Sequence, residues 1–186
     1  MAENSTNVYK LLNELLEAYT PTAHQEVEEV KNLAKELEGE DFELMPWDWA
    51  YYTEKYKNEK YAVNDEQIKP YLQLDNVREA VFMLANRLYG LTFTPAENIA
   101  VYHPDVKAYE VKDIDGSHLA VLYLDSFPRE SKRSGAWMTE FRGAEGDIRP
   151  LVSLVMNFTK PTETTPSLLT FDEFTTFLHE FGHACH

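Results

Sequence analysis

The sequence predicts a mainly α-helical chain with one small antiparallel β-sheet, an α+β fold. Three observations predict it. Apolar residues recur at helical spacing through most of the stretch before Gly90, β-branched and aromatic runs take over after it, and helical spacing returns at the C-terminal end.

The elements follow in chain order. Val8, Leu11, Leu12, Leu15 and Leu16 predict a helix over 8–19, and Thr20-Pro21 reads as a stop followed by a new start. A second helix over 21–37 places Val27, Val30, Leu33, Ala34 and Leu37 on one face, with Gly39 beyond its end. The run PWDWAYYTEKYKNEKY (46–61) predicts a third helix with a broad packed aromatic face. A base-stacking platform would place such aromatics on strands or in a basic groove, and this segment has neither. Asp75 is positioned to cap a fourth helix, NVREAVFMLANRLYG, with Val77, Val81, Leu84, Ala85 and Leu88 at three- and four-residue spacing and Gly90 as its end.

Beyond Gly90, NIAVYHPDVKAYEVKD and SHLAVLYLDSF predict a hairpin turning at Asp113-Ile114-Asp115-Gly116, and LVSLVMNF (151–158) a third strand. The stretch 128–150, with three glycines and mixed charge, reads as a long loop. Its cluster Arg129, Lys132 and Arg133 is expected to be solvated surface, the functional alternative being a site for a substrate carboxylate. The predicted organisation is one partial domain: a helical part over 1–90, a small sheet with its long loop over 91–160, and a segment over 161–186 that carries the last helix. That helix runs to His186 without a closing glycine or proline, so the domain is expected to continue beyond it.

Composition narrows the function classes. Of the 186 residues 44% are hydrophobic, enough to bury a core and to exclude wholesale disorder. A net charge of −15 makes nucleic acid and anionic membrane surfaces poor partners. One cysteine cannot form an internal disulfide, and neither a signal peptide nor a membrane span is visible, which predicts a cytoplasmic protein. The sequence leaves the oligomeric state open.

The chemistry lies in FDEFTTFLHEFGHACH. Thr170 and Glu173 have capping-box spacing, so a helix should start near Phe171. On it His179 and His183 are four residues apart, and at about 100° per residue their directions differ by about 40°, so both rings can meet one metal ion. Glu180 lies about 100° round from His179, beside the metal without having to ligate it. The HExxH pattern needs this arrangement: two neutral imidazoles for Zn²⁺ and a carboxylate near enough to take a proton from water. A chain of this composition should contain about 0.02 such motifs by chance.

The neighbours have their own expectations. His186 is about 10.5 Å further along the axis than His179, too far to share the ion, and is expected to be a satisfied buried histidine. Cys185 is expected to be a packed thiol, and Gly182 to mark a close approach to the helix backbone. A catalytic zinc needs three protein ligands, and only two are present, so the third must come from upstream or from beyond His186.

These residues resemble a known family. NFTKPTETTPSLLTFDEFTTFLHEFGHACH is similar to the active-site region of the thimet oligopeptidase family, which includes oligopeptidase A and peptidyl-dipeptidase. WDWAYY, VYHPDVKAYEVKDIDG and LYLDSFPRESKRSGAWM look like segments of that family in the same order. The resemblance implies a zincin-like metallopeptidase catalytic domain, here incomplete, with a small sheet beside the zinc helix and a channel admitting short peptides. By position His179 and His183 would be zinc ligands and Glu180 the catalytic base. The third ligand would be a glutamate on a later helix.

The function expected is zinc-dependent hydrolysis of peptide bonds in short oligopeptides, one ion per site, by either an oligopeptidase or a peptidyl-dipeptidase. A peptide would add to a sheet edge, at 117–125 or 151–158, with the sequence leaving both open. Two other readings stand beside it: a catalytically inactive fragment lacking the third zinc ligand, and an acidic helical interaction domain whose HExxH is accidental.

Overall fold

The computed structural model describes residues 3–62 and 65–186, and the chain divides into two compact units, Met1–Asn64 and Asp65–His186. The first holds α1 (Ser5–Glu38) and α2 (Trp49–Tyr61). The two helices expected over 8–37 are one helix with Pro21 inside it. Proline removes the hydrogen bond to the carbonyl four residues earlier, and here both Pro21 and Glu17 are exposed, so water can take up the freed oxygen. Val30, Ala34 and Tyr52 form the core of this unit, with Phe42, Leu44 and Tyr56 against it. The Tyr52 hydroxyl donates to Glu38 at 3.0 Å. The aromatic face of the 46–61 run is narrower than expected, since Trp47, Tyr51 and Tyr61 are exposed along with the stripe Val8, Leu11, Leu12, Leu15 and Leu16.

The second unit begins with the short α3 (Asp65–Ile68) and a 3₁₀ turn, Lys69–Tyr71. Then come α4 (Leu74–Tyr89), β1 (Thr92–Pro95), β2 (Lys107–Lys112), β3 (His118–Asp125), β4 (Trp137–Arg142), β5 (Leu151–Val155) and α5 (Phe171–Cys185). Gln73 stands at the N-cap of α4, so Asp75 falls inside the first turn, where it accepts from Arg78 at 2.6 Å instead of capping. Gly90 closes the helix as expected, at φ +76 in the left-handed region, and a Cβ there would meet Ile114 Cβ at 2.8 Å.

The hairpin β2–β3 is antiparallel, Lys107 opposite Leu124. The sheet is not wholly antiparallel, however: its order is β1-β2-β3-β5-β4, and β3 pairs with β5 in parallel, Val121 opposite Leu151. A parallel pair needs a crossover, and the stretch expected to be only a loop supplies it while laying down β4 as the outer strand, antiparallel to β5. The sheet is therefore mixed, with β1 and β4 as its two edges.

One face of the sheet carries Tyr109, Val111, Leu122, Leu124, Val152 and Leu154, which pack with Val77, Val81, Phe82 and Ala85 of α4 and Phe177 and Phe181 of α5. Leu84 and Leu88, on the far side of α4, are exposed. Phe82 stacks on Phe93 at 4.2 Å and meets Tyr109 edge-on at 5.0 Å. Phe177 has no exposed surface. Phe177→Ala should destabilise the chain by about 3–5 kcal/mol through the cavity it leaves. The check is the urea unfolding midpoint, and an unchanged midpoint would remove Phe177 from the centre of the core.

Candidate metal centre

Local chemistry places α5. Thr170 accepts from the Glu173 backbone N–H at 3.1 Å and the Glu173 carboxylate accepts from the Thr170 N–H at 2.8 Å, the reciprocal capping box the spacing predicts. Just upstream the chain is tied to the entry of α4, with Leu74 N–H donating to the Ser167 carbonyl at 2.9 Å and Leu169 N–H to the Leu72 carbonyl at 2.8 Å. Thr170→Ala should cost about 1 kcal/mol by leaving an N-terminal amide without its acceptor. Thermal unfolding of the variant reads this, and a parent-like transition would mean that packing alone starts the helix.

Phe177 and Phe181 turn α5 onto the sheet, and His179 and His183 lie on the exposed side. Phe171, at the start of the helix, is also exposed, so the aromatic residues of α5 do not bury it on most sides. The two imidazole Nε2 atoms face each other at 3.0 Å, the rings nearly perpendicular at 82°. Two nitrogens bound to one tetrahedral zinc at about 2.05 Å lie about 3.3 Å apart. The pair thus already converges on one point, and its donor chemistry fits two of the three protein ligands. Glu180, between them in sequence, is only 9% exposed. No side chain among the described residues pairs with its carboxylate.

Other expectations for α5 change. His186 is exposed rather than buried, its backbone N–H reaching the His183 carbonyl at 3.2 Å. Nothing stands within 4 Å of a Cβ built on Gly182, so no described residue makes the close approach expected there. Cys185 is exposed as a residue, yet burial pushes its thiol up, which keeps it a poor nucleophile. Among the described residues no group of three or more His, Cys, Asp or Glu is placed to hold a metal ion.

Two features near the helix were not legible in the sequence. A cavity of about 530 Å³ opens beside the end of α5, lined by Leu91, Phe93, Met138, Phe181, His183 and His186 among others. It joins His183 to β4, which packs beside α5. The strands expected to receive a peptide, β3 and β5, are both interior and hydrogen-bonded on both sides, so the free edge beside α5 is β4. The only hint of β4 in the sequence is the β-favouring Trp137, Thr139 and Phe141 at every second position. The cation cluster is not solvated surface either: Arg129 and Lys132 turn inward to Asp125, and Arg133 alone stays exposed, its guanidinium 5.3 Å from the Trp137 ring centre.

The helix that brings His179 and His183 together lies beside a small mixed sheet. The model of peptidase family M3 matches residues 1–186, and the chain belongs to that family. It is 38% identical over 192 residues to dipeptidyl carboxypeptidase of Salmonella typhimurium and 38% identical over 191 residues to oligopeptidase A of Escherichia coli. Both alignments cover 100% of this chain and 28% of the relative. An organellar oligopeptidase A of Arabidopsis thaliana is 37% identical over 187 residues, 94% of this chain and 24% of that protein. The chain thus spans about a quarter of the length of these relatives. No helix among the described residues is long and apolar enough to cross a membrane.

Proposed function

We propose that the chain is part of the catalytic domain of a zinc metallopeptidase that hydrolyses peptide bonds in short oligopeptides, as an oligopeptidase or a peptidyl-dipeptidase. The observation that carries this reading is the convergence of the His179 and His183 Nε2 atoms at 3.0 Å on a helix of an M3-family chain. These two imidazoles would hold the zinc ion, with a third ligand from outside the described residues. A zinc ion there lowers the pKa of water towards about 7 and polarises a carbonyl.

The remaining work belongs to this chain's own groups. Glu180 takes the proton of the attacking water and hands it to the departing amine nitrogen as the C–N bond breaks. The Glu180 residue is 9% exposed and its carboxylate has no side-chain partner among the described residues, which leaves the carboxylate free to take up a proton. The substrate backbone extends antiparallel or parallel along β4, whose outer N–H and C=O groups supply its hydrogen bonds. The cavity between β4 and His183 receives a side chain next to the scissile bond.

The test pairs zinc content with cleavage of an internally quenched peptide. Near-stoichiometric zinc with cleavage supports the reading, and a chain that binds no zinc and cleaves nothing sinks it. A second reading is favoured by the presence of only two candidate ligands among the described residues and by the short span against the relatives: this chain alone holds zinc weakly and turns nothing over. Zinc without cleavage would select it. An acidic interaction domain with an accidental motif would show no zinc preference over other divalent ions.

A further inference from the structure

Asp125, the last residue of β3, and Lys132, midway to β4, have side chains only 1% and 2% exposed. The Lys132 ammonium donates to the Asp125 carbonyl at 2.8 Å, Asp125 Oδ1 at 3.0 Å, the Phe127 carbonyl at 2.7 Å and the Met156 carbonyl. An ammonium has three N–H groups, so four oxygens share them around a point charge, much as they would surround a small metal cation. The carboxylate is equally committed: Arg129 donates to both of its oxygens, at 2.8 and 2.9 Å, and the Tyr102 hydroxyl donates at 2.9 Å. Burial alone would push the Asp125 carboxyl up, but Arg129, Lys132 and Tyr102 together hold it below its ordinary value. Burial pulls the Lys132 ammonium down, with Asp125 the chief group opposing.

The oxygens of this cage lie at the C-terminal ends of β3 and β5, the parallel pair at the centre of the sheet, while the ammonium belongs to the segment that leads into β4. A second tie stands next to it: Asn157 Nδ2 donates to the carbonyls of Arg133 at 2.9 Å and Gly135 at 2.7 Å. β4 pairs only with β5, so beyond that ladder and its packing against α5, Tyr102 and Tyr123, these ties at its entry fix its position. An apolar side chain at 132 would take the ammonium from the Phe127 and Met156 carbonyls and its charge from the buried carboxylate, which would keep Arg129 and Tyr102.

We propose that Lys132 is a positioning residue for peptide binding: its ammonium is a built-in cation that pins the segment 126–136 to the ends of β3 and β5 and so presents β4 as a fixed edge for an incoming strand. The peptide part rests on the function proposed above, and the pinning does not.

The experiment follows amide hydrogen exchange along the full chain for the parent, Lys132→Met, Lys132→Arg and Lys132→Ala, together with binding of a fluorescein-labelled Ala-Leu-Ala-Leu-Ala peptide by fluorescence anisotropy. In Lys132→Met the amides of 127–142 should exchange about tenfold faster while the β2–β3 hairpin and α5 keep their protection. Arginine keeps the charge but spreads its donors over a planar fork that does not match the cage, so Lys132→Arg should loosen the same segment and decides the matter if the methionine variant fails to fold. Ethylammonium added to Lys132→Ala should restore protection over 127–142, which general loss of packing would not. Peptide affinity should fall about tenfold with the loosening. Unchanged exchange over 127–142 in a folded Lys132 variant overturns the pinning. Faster exchange with unchanged peptide affinity overturns the positioning role and leaves the zinc-site reading intact. A parent chain that binds no peptide overturns the β4 reading and the positioning role with it, while the exchange rates still report the pinning.

Discussion

In a complete enzyme containing this chain, Glu180→Gln is expected to leave bound zinc nearly unchanged and to lower peptide hydrolysis by about 10²–10⁴-fold, the usual contribution of a positioned general base. The amide keeps the volume and shape of the carboxylate, so a residue that is 9% exposed is exchanged without a cavity. It cannot accept the proton of the attacking water. Zinc content is measured on the same preparation as the rate, which separates a lost base from a lost metal. A variant as active as the parent would remove Glu180 from the mechanism, whatever the histidines do.

His183→Ala is expected to abolish zinc binding, weakening it by more than the roughly 10–100-fold that follows loss of a mere supporting residue around a zinc site. His183 is exposed, and its side-chain hydrogen bond is to His179. The substitution should therefore change folding stability by no more than about 0.5 kcal/mol. That makes metal affinity, read by competition with a chromogenic chelator, a clean measurement. Zinc stoichiometry equal to that of the parent would refute the ligand assignment and with it the proposed function. His179→Ala should behave in the same way, because the two Nε2 atoms stand 3.0 Å apart and neither alone can hold the ion tightly.

The readable parts of the molecule were those set by short-range chemistry. The capping box of α5, the closing glycine of α4 and the β2–β3 turn each depend on residues only a few positions apart, and each stands where the spacing put it. The misread parts depend on distant neighbours. Pro21 signals a break by itself, yet the long helix continues through it because solvent can take up the freed carbonyl. The run 128–150 has glycines and mixed charge typical of a loop, but β5 offers its outer edge to Trp137–Arg142, and that offer cannot be seen from within the segment. Arg129 and Lys132 look like solvated cations until Asp125 is known to be buried beside them.

The sequence by itself determined the chemistry of α5: where the helix starts, that His179 and His183 share a side four residues apart, and that Glu180 lies between them. Helical periodicity is a local property, so it survives any choice of tertiary fold. Only the tertiary structure decided that β3 and β5 pair in parallel at the centre of the sheet, that β4 is the free edge beside the histidine helix, and that Lys132 is an interior cation. Strand order and the burial of a charge are set by which distant segments satisfy one another's hydrogen bonds, and a linear pattern does not carry that information.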